Sequence, residues 1–191
     1  MRLYLIRHAR TLPTGPDSHA WPLAPEGEAQ ARALAEAPFW SEIAALYSSP
    51  EGKALATVRP AAAHHGLEVR PDDRLGEARR PAVWLDDYDG AVRRYLAGAT
   101  GLPAGWEDAG AVRGRMRDCL DELAGRHRGE SIAVCGHGLA LTLGLGGLAG
   151  APEDPFALWA SLGFGTVAVV EDCRLVVPFG DSVAIAPPRQ R

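Results

Sequence analysis

Cysteine is scarce in this chain, with three among 191 residues. Cys119, Cys135 and Cys173 are scattered and odd in number, and no secretory leader is evident. The expectation is therefore reduced thiols in a cytoplasmic protein rather than a disulfide scaffold. Long hydrophobic runs are also missing. No stretch approaches the ~18 residues of a membrane span, and the most apolar window, 139–148, is broken by Gly144, Gly146 and Gly147. Charge of one sign is not in excess. A net charge of −4 offers no field for nucleic acid or an anionic membrane, so an anion site here must be a local cluster. No internal repeat and no metal-ligand spacing occur, so neither a metal nor another cofactor is expected. What remains is an ordinary globular composition, 47% apolar and 23% charged, long enough for one domain with a full core.

The chain opens MRLYLIRHAR. Residues 3–6 read as a buried strand that stops at Arg7-His8, and strand ends are where α/β folds place their chemistry. A guanidinium beside an imidazole suits an anion: the first is a charged fork for oxygens, and the second can attack or carry protons. A loop rich in Pro and Gly follows, then Pro25 with Glu26 and Glu28 marks a helix start, carried to about residue 37. Residues 43–47 form a second apolar strand, closed by Ser48-Ser49-Pro50. A helix begins near Glu51, which Pro60 is expected to kink or shorten. Residues 66–69 suit a short extended segment.

Residues 71–110 are the least regular, with one helical patch at 91–96. Residues 107–126 carry Val112, Met116, Leu120 and Leu123 at helical spacing. Residues 131–135 are another apolar strand, ending in Gly136-His137-Gly138 before a glycine-interrupted helix. Strands at 166–170 and 175–177, turning at Glu171-Asp172, precede a tail, 186–191, expected to fray. Strands alternating with helices predict a three-layer α/β/α sandwich with a mostly parallel central sheet. The expectation is a single domain over 1–191, with an insertion at about 78–106 covering the site.

Two strand exits look alike, one releasing Arg7-His8 and the other Gly136-His137-Gly138. In a parallel sheet both open on one edge, so the two histidines can converge, and glycines beside His137 permit close approach. Alone, His137 reads as a turn histidine packed under a loop. The third exit leads through Ser48-Ser49-Pro50 into a helix start, where free N–H groups attract anions and Lys53 adds charge. Alone, Lys53 reads as a solvated helix lysine. His64-His65 is an adjacent pair whose rings should diverge on a helix, and it is discounted as a site.

In order, these blocks resemble the histidine phosphatase superfamily, with its phosphoglycerate mutase-like fold. LIRHART matches its Arg-His-Gly-x-Thr opening through Arg7, His8 and Thr11, with Ala9 in place of Gly. PLAPEGEAQA matches at Pro22, Leu23, Gly27, Gln30 and Ala31. SSPEGKALAT, Leu75-Gly76-Glu77 and His137-Gly138 complete the series over residues 2 to about 170. The resemblance implies that His8 is the nucleophile and Glu77 the general acid. It further implies that Arg7 and His137 hold phosphoryl oxygens, with Lys53, Thr14 and Gly138 at the phosphate. Read alone, Glu77 is a surface carboxylate beside Arg79 and Arg80.

Departures accompany the match. Lys53 stands where the family has Arg, giving charge without a planar fork, and Arg59 is a conceivable substitute. Ala9 matters only if its backbone needs a positive φ. Thr14 stands where many mutases have Asn. The implied function is a metal-independent phosphomonoester phosphatase acting on a small soluble metabolite, with no nucleic-acid or membrane partner and an open oligomeric state. The alternatives are a phosphoglycerate mutase, a phosphohistidine-protein phosphatase, and a catalytically weak phosphate-binding or regulatory protein. The aromatics Trp84, Tyr88, Tyr95 and Trp106 are expected to pack the insertion rather than to meet substrate.

Overall fold

A computed structural model describes residues 1–98 and 105–180. The proposed tail and part of the insertion lie outside them. The strands are β1 (Arg2–Arg7), β2 (Ile43–Ser48), β3 (Val69–Pro71), β4 (Ser131–Gly136), β5 (Val167–Glu171) and β6 (Arg174–Gly180). The helices are α1 (Pro25–Ala35), α2 (Gly52–His65), α3 (Tyr88–Leu96), α4 (Ala109–Arg126), α5 (Gly138–Leu145) and α6 (Pro155–Ser161). One six-stranded sheet has the order β3-β2-β4-β1-β5-β6. The four strands from β3 to β1 pair in parallel, while β5 and β6 add antiparallel.

Alternation along the central strands builds the three layers. Leu3, Leu5, Ile132 and Val134 pack on one face with Met116 and Leu123 of α4 and Leu139 and Leu143 of α5. Tyr4, Ile6, Ala133 and Cys135 pack on the other with Leu34 of α1 and Ala54, Val58 and Ala61 of α2. Both faces of β1 and β4 are thus covered, which is why their sequences are unbroken apolar runs.

Three local expectations are corrected and one helix is added. Helix α2 runs through Pro60 to His65 and is ended by Gly66, which adopts φ 65 and donates its N–H to the Ala62 carbonyl. Glycine takes this left-handed turn without the clash a Cβ would bring. The short strand therefore begins at Val69, because residues 66–68 form the cap, and Pro71 is tolerated at a sheet edge. The last hairpin turns at Asp172-Cys173, both at positive φ, as a two-residue loop requires. Helix α6 was not anticipated. It is only seven residues long, too short for periodicity, although Asp154 caps it and Pro155 opens it. No helix among the described residues is long and apolar enough to cross a membrane.

Candidate active site

Register alone brings the two histidines together. Arg7 of β1 pairs with Gly136 of β4 in a parallel ladder, so the next residues, His8 and His137, leave the sheet one strand apart. Their ring centroids are 5.1 Å from each other, close to the spacing of neighbouring strands. The His8 N–H donates to the Gly136 carbonyl at 3.0 Å, which holds the turn against the sheet edge.

The His8 ring has a defined tautomer. Its Nδ1 lies 2.8 Å from the Ala9 carbonyl. A carbonyl can only accept, so Nδ1 carries the proton and Nε2 the lone pair. Ala9 is itself fixed, because its N–H donates to Thr57 Oγ1 at 2.9 Å and that hydroxyl donates to the Lys53 carbonyl at 2.7 Å. The threonine of the SSPEGKALAT block thus orients His8 through one peptide. Positive φ among described non-glycine residues is confined to Asp172 and Cys173, so Ala9 carries no backbone penalty. Burial, and then the charges of His137 and Lys53, push the His8 pKa well below 6.5. The ring is neutral.

His137 is fully buried. Its Nε2 lies 2.8 Å from Ser49 Oγ and 3.3 Å from Glu51 Oε1. Burial pushes its pKa down to about 3, against a smaller upward pull from Glu51. Glu51 is the hub that sequence reasoning missed. Its Oε1 accepts the Glu77 N–H at 2.8 Å, and its Oε2 lies 3.0 Å from Lys53 Nζ and 3.2 Å from His19 Nδ1. Burial opposes its charge, but His19, His137 and Lys53 outweigh burial and hold the carboxyl far below the usual range. Lys53 is buried, and its ammonium also donates to the Ser18 carbonyl at 2.7 Å. Its charge is therefore largely committed to Glu51.

Glu77 is buried, not a surface carboxylate. It accepts N–H groups from Ala78 and Ala140 on Oε1, at 2.9 Å each, and from Leu139 on Oε2 at 3.2 Å. Leu139 and Ala140 lie in the first turn of α5, whose own N-cap residue, His137, supplies no side-chain bond. Glu77 thus caps that helix from a distant segment. Gly138 permits the crowding beside it. A Cβ there would meet Trp159 Nε1 at 3.2 Å and Arg7 Nη2 at 3.4 Å.

Arg7, His8, Lys53, Glu77 and Gly138 line one cavity of about 340 Å³, together with Arg80. The Arg7 guanidinium lies 4.1 Å over the Phe164 ring and donates to the Leu162 carbonyl. Arg80, which the sequence showed only as a neighbour of Glu77, donates to Ser18 Oγ at 2.8 Å. Arg7 Nε, Arg80 Nη1 and His137 Nδ1 are buried without partners. Leaving such groups unpaired costs about 1–3 kcal/mol each; Arg7 and Arg80 line the cavity, and His137 lies behind its lining, beside His8.

Thr14 is exposed and outside the lining, and Arg59 is exposed on a different groove of α2. His64 and His65 do not diverge; their rings stack at 4.6 Å, with His64 facing Glu36 and His65 bonding the Ala35 carbonyl. A larger cavity, about 580 Å³, opens at the opposite sheet edge between Met1, Leu148 and Cys173, and no histidine among the described residues lines it. Of the insertion aromatics, Tyr95 and Trp106 pack on each other as expected, whereas Trp84 and Tyr88 line the site.

A family model described as the histidine phosphatase superfamily (branch 1) matches residues 3–171. None of the curated proteins matches the sequence significantly. Solved structures with a similar fold include the alpha-ribazole phosphatase from Shigella flexneri, 21% identical over 100% of both chains with a TM-score of 0.76. A mycobacterial glucosyl-3-phosphoglycerate phosphatase with inorganic phosphate is 22% identical over 96% of this chain and 99% of its own, with a TM-score of 0.72. A mutant of the Entamoeba histolytica phosphoserine phosphatase with phosphoserine is 21% identical over 95% and 97%, with a TM-score of 0.70. At these identities the likeness is one of fold.

Proposed function

This chain belongs to the histidine phosphatase superfamily, and we propose that it hydrolyses small phosphorylated metabolites through a phosphohistidine on His8. The observation that carries the proposal is the His8 tautomer. With Nδ1–H held by the Ala9 carbonyl, the unprotonated Nε2 is left to attack.

The residues divide the work. The Nε2 lone pair forms a bond to phosphorus while the ester P–O bond breaks, and its electron pair stays on the leaving oxygen. Glu77 supplies the proton that this oxygen takes. Water then attacks the phosphorus, the N–P bond returns its pair to Nε2, and the Glu77 carboxylate accepts the proton of water. Charge on the transferring group is spread over three oxygens. Arg7 and Arg80 provide guanidinium forks for them, and His137 can protonate at Nδ1 when the anion arrives, with Glu51 balancing the imidazolium. Gly138 lets Arg7 approach, and Lys53 holds Glu51 and the Ser18 loop. Thr14 has no part.

Arg80, Val83, Trp84, Leu85 and Tyr88 line the cavity, which supports reading 78–106 as an insertion over the site of a single domain. That cover favours a small ester over a phosphohistidine protein. A mutase must also seat a second acidic group, and the charges on this floor match one phosphate. The free cysteines support a cytoplasmic setting. The test is phosphate release across sugar phosphates, nucleotides and phosphohydroxy acids, with His8→Ala as control. Release by wild type alone is expected; equal inactivity of both across the panel would refute the reading.

A further inference from the structure

The mouth of the same cavity carries an aromatic surface that the phosphoryl chemistry does not use. Trp21, from the loop before α1, and Trp84, from the insertion, stack at 5.9 Å with 29° between their planes. Both line the cavity, with Val83, Leu85, Tyr88, Trp159 and Phe164. Trp84 is 63% exposed and its neighbour Val83 53%. Consecutive exposed apolar side chains are costly in water unless something covers them. The Trp21 indole N–H is already donated to the Gly15 carbonyl at 2.7 Å, so that ring offers its face and no polar edge.

We infer that the substrate is a phosphomonoester whose leaving group is flat and apolar, an aromatic ring system that stacks in the Trp21–Trp84 mouth. This rests on the phosphatase reading above and narrows it. The charges at the floor point the same way. Among the described residues, the cations lining the cavity are Arg7, Lys53 and Arg80, apart from His8, which is neutral. Lys53 is committed to Glu51 and the Ser18 carbonyl. The two guanidinium groups are then taken by one phosphoryl group, and no cation of the lining is left for a carboxylate on the leaving group. Arg10 lies outside the lining, behind Phe164 and paired with Glu26, and Arg79 is paired with Glu107. A polyhydroxylated leaving group finds few partners, because the Ser18 hydroxyl already accepts from Arg80 and, beyond the hydroxyls of Thr11 and Tyr88, the rest of the mouth is aromatic or aliphatic. The volume, about 340 Å³, sits at the lower end of ordinary small-molecule pockets. It suits a phosphoryl group with one or two rings, not a protein segment.

The test must separate recognition from leaving-group chemistry, because phenolic esters break easily on any phosphatase. Naphthylmethyl phosphate, glycerol phosphate and phosphoserine all release alkoxide-type oxygens, so their kcat/KM ratios report the mouth. The expected result is that naphthylmethyl phosphate exceeds both others at least tenfold, about 1.4 kcal/mol, on the scale of one ring stacked on an aromatic face. Trp84→Ala should remove most of that ratio and Trp84→Phe should retain it. Trp84 is mostly exposed, so neither change disturbs the core. In parallel, naphthylmethylphosphonate should bind at least tenfold more tightly than methylphosphonate by calorimetry.

Equal kcat/KM values that Trp84→Ala does not shift, with equal phosphonate affinities, would overturn the inference while the phosphatase reading stands. Discriminating phosphonate binding without any turnover would uphold aromatic recognition and overturn the phosphatase reading.

Discussion

Acidification from pH 7 to pH 5 should destabilise this fold through two buried rings well before its carboxylates respond. His137 has an ordinary value of 6.5 when unfolded and about 3 when buried in the folded chain. Below 6.5 the unfolded ring takes up a proton that the folded ring refuses, so the unfolded state gains. Stability from this group is complete above 6.5 and falls as pH drops toward 3. The slope is about 1.36 kcal/mol per pH unit, and integration from pH 7 to pH 5 gives a loss of roughly 2 kcal/mol. His8, also pushed well below 6.5 by burial, adds a loss of the same sign. Glu51 works in another window. Its carboxyl is held far below 4.5, so its contribution is full above 4.5 and falls only at lower pH. Urea unfolding at pH 5, 6 and 7, at constant ionic strength, reads the slope directly. His137→Gln keeps a hydrogen-bonding side chain but cannot titrate, so its loss between pH 7 and pH 5 should be about 2 kcal/mol smaller than that of wild type. Parallel lines for the two proteins would refute the assignment of a neutral, buried His137.

Three substitutions probe the site and its frame. Arg80→Ala should lower kcat/KM by roughly 10- to 100-fold, the loss of one charge-assisted contact, and Arg80→Lys should restore it only in part; no change in steady-state kinetics would exclude Arg80 from the phosphate. Lys53→Arg should not tighten inhibition by inorganic phosphate, because the buried ammonium is held by Glu51 and the Ser18 carbonyl. The larger head should instead cost about 1–3 kcal/mol of stability by overpacking. Tighter phosphate inhibition with an unchanged melting temperature would contradict this. Gly27→Ala should lower the melting temperature markedly, since its Cβ would collide with the Arg10 carbonyl, pushing α1 away from the loop after β1. A melting temperature at or above that of wild type would show that the loop yields freely.

How far the sequence could be read follows from the range of each interaction. The exits of β1 and β4 were legible because unbroken apolar runs end abruptly in Arg7-His8 and Gly136-His137. Parallel pairing then makes their meeting a matter of register. The block holding Ser49 and Thr57 was visible as a pattern, but its bonds to His137 and Ala9 cross the sheet and leave no local mark. Glu77 looked exposed because Arg79 and Arg80 follow it, whereas its partners, the N–H groups of Leu139 and Ala140, are more than sixty positions away. Glu51 was hidden as an ordinary acid at a helix start, and its role depends on Lys53, His19 and His137, brought to it from separate parts of the chain. Lys53 was judged by its charge alone, although its neighbour two residues earlier largely neutralises it. Pro60 misled because proline propensity is local, while the burial of Val58, Ala61 and Ala62 against the sheet carries α2 past it.

The central claim is a covalent bond between phosphorus and His8 Nε2. Mixing the protein with excess phosphomonoester, quenching in alkali within milliseconds and mapping the modified peptide by mass spectrometry tests it directly. One phosphoryl group on the His8 peptide, stable to base, labile to acid and absent from His8→Ala, is the predicted result. Release of inorganic phosphate at full rate with no such adduct, or an adduct on another residue, would contradict the account.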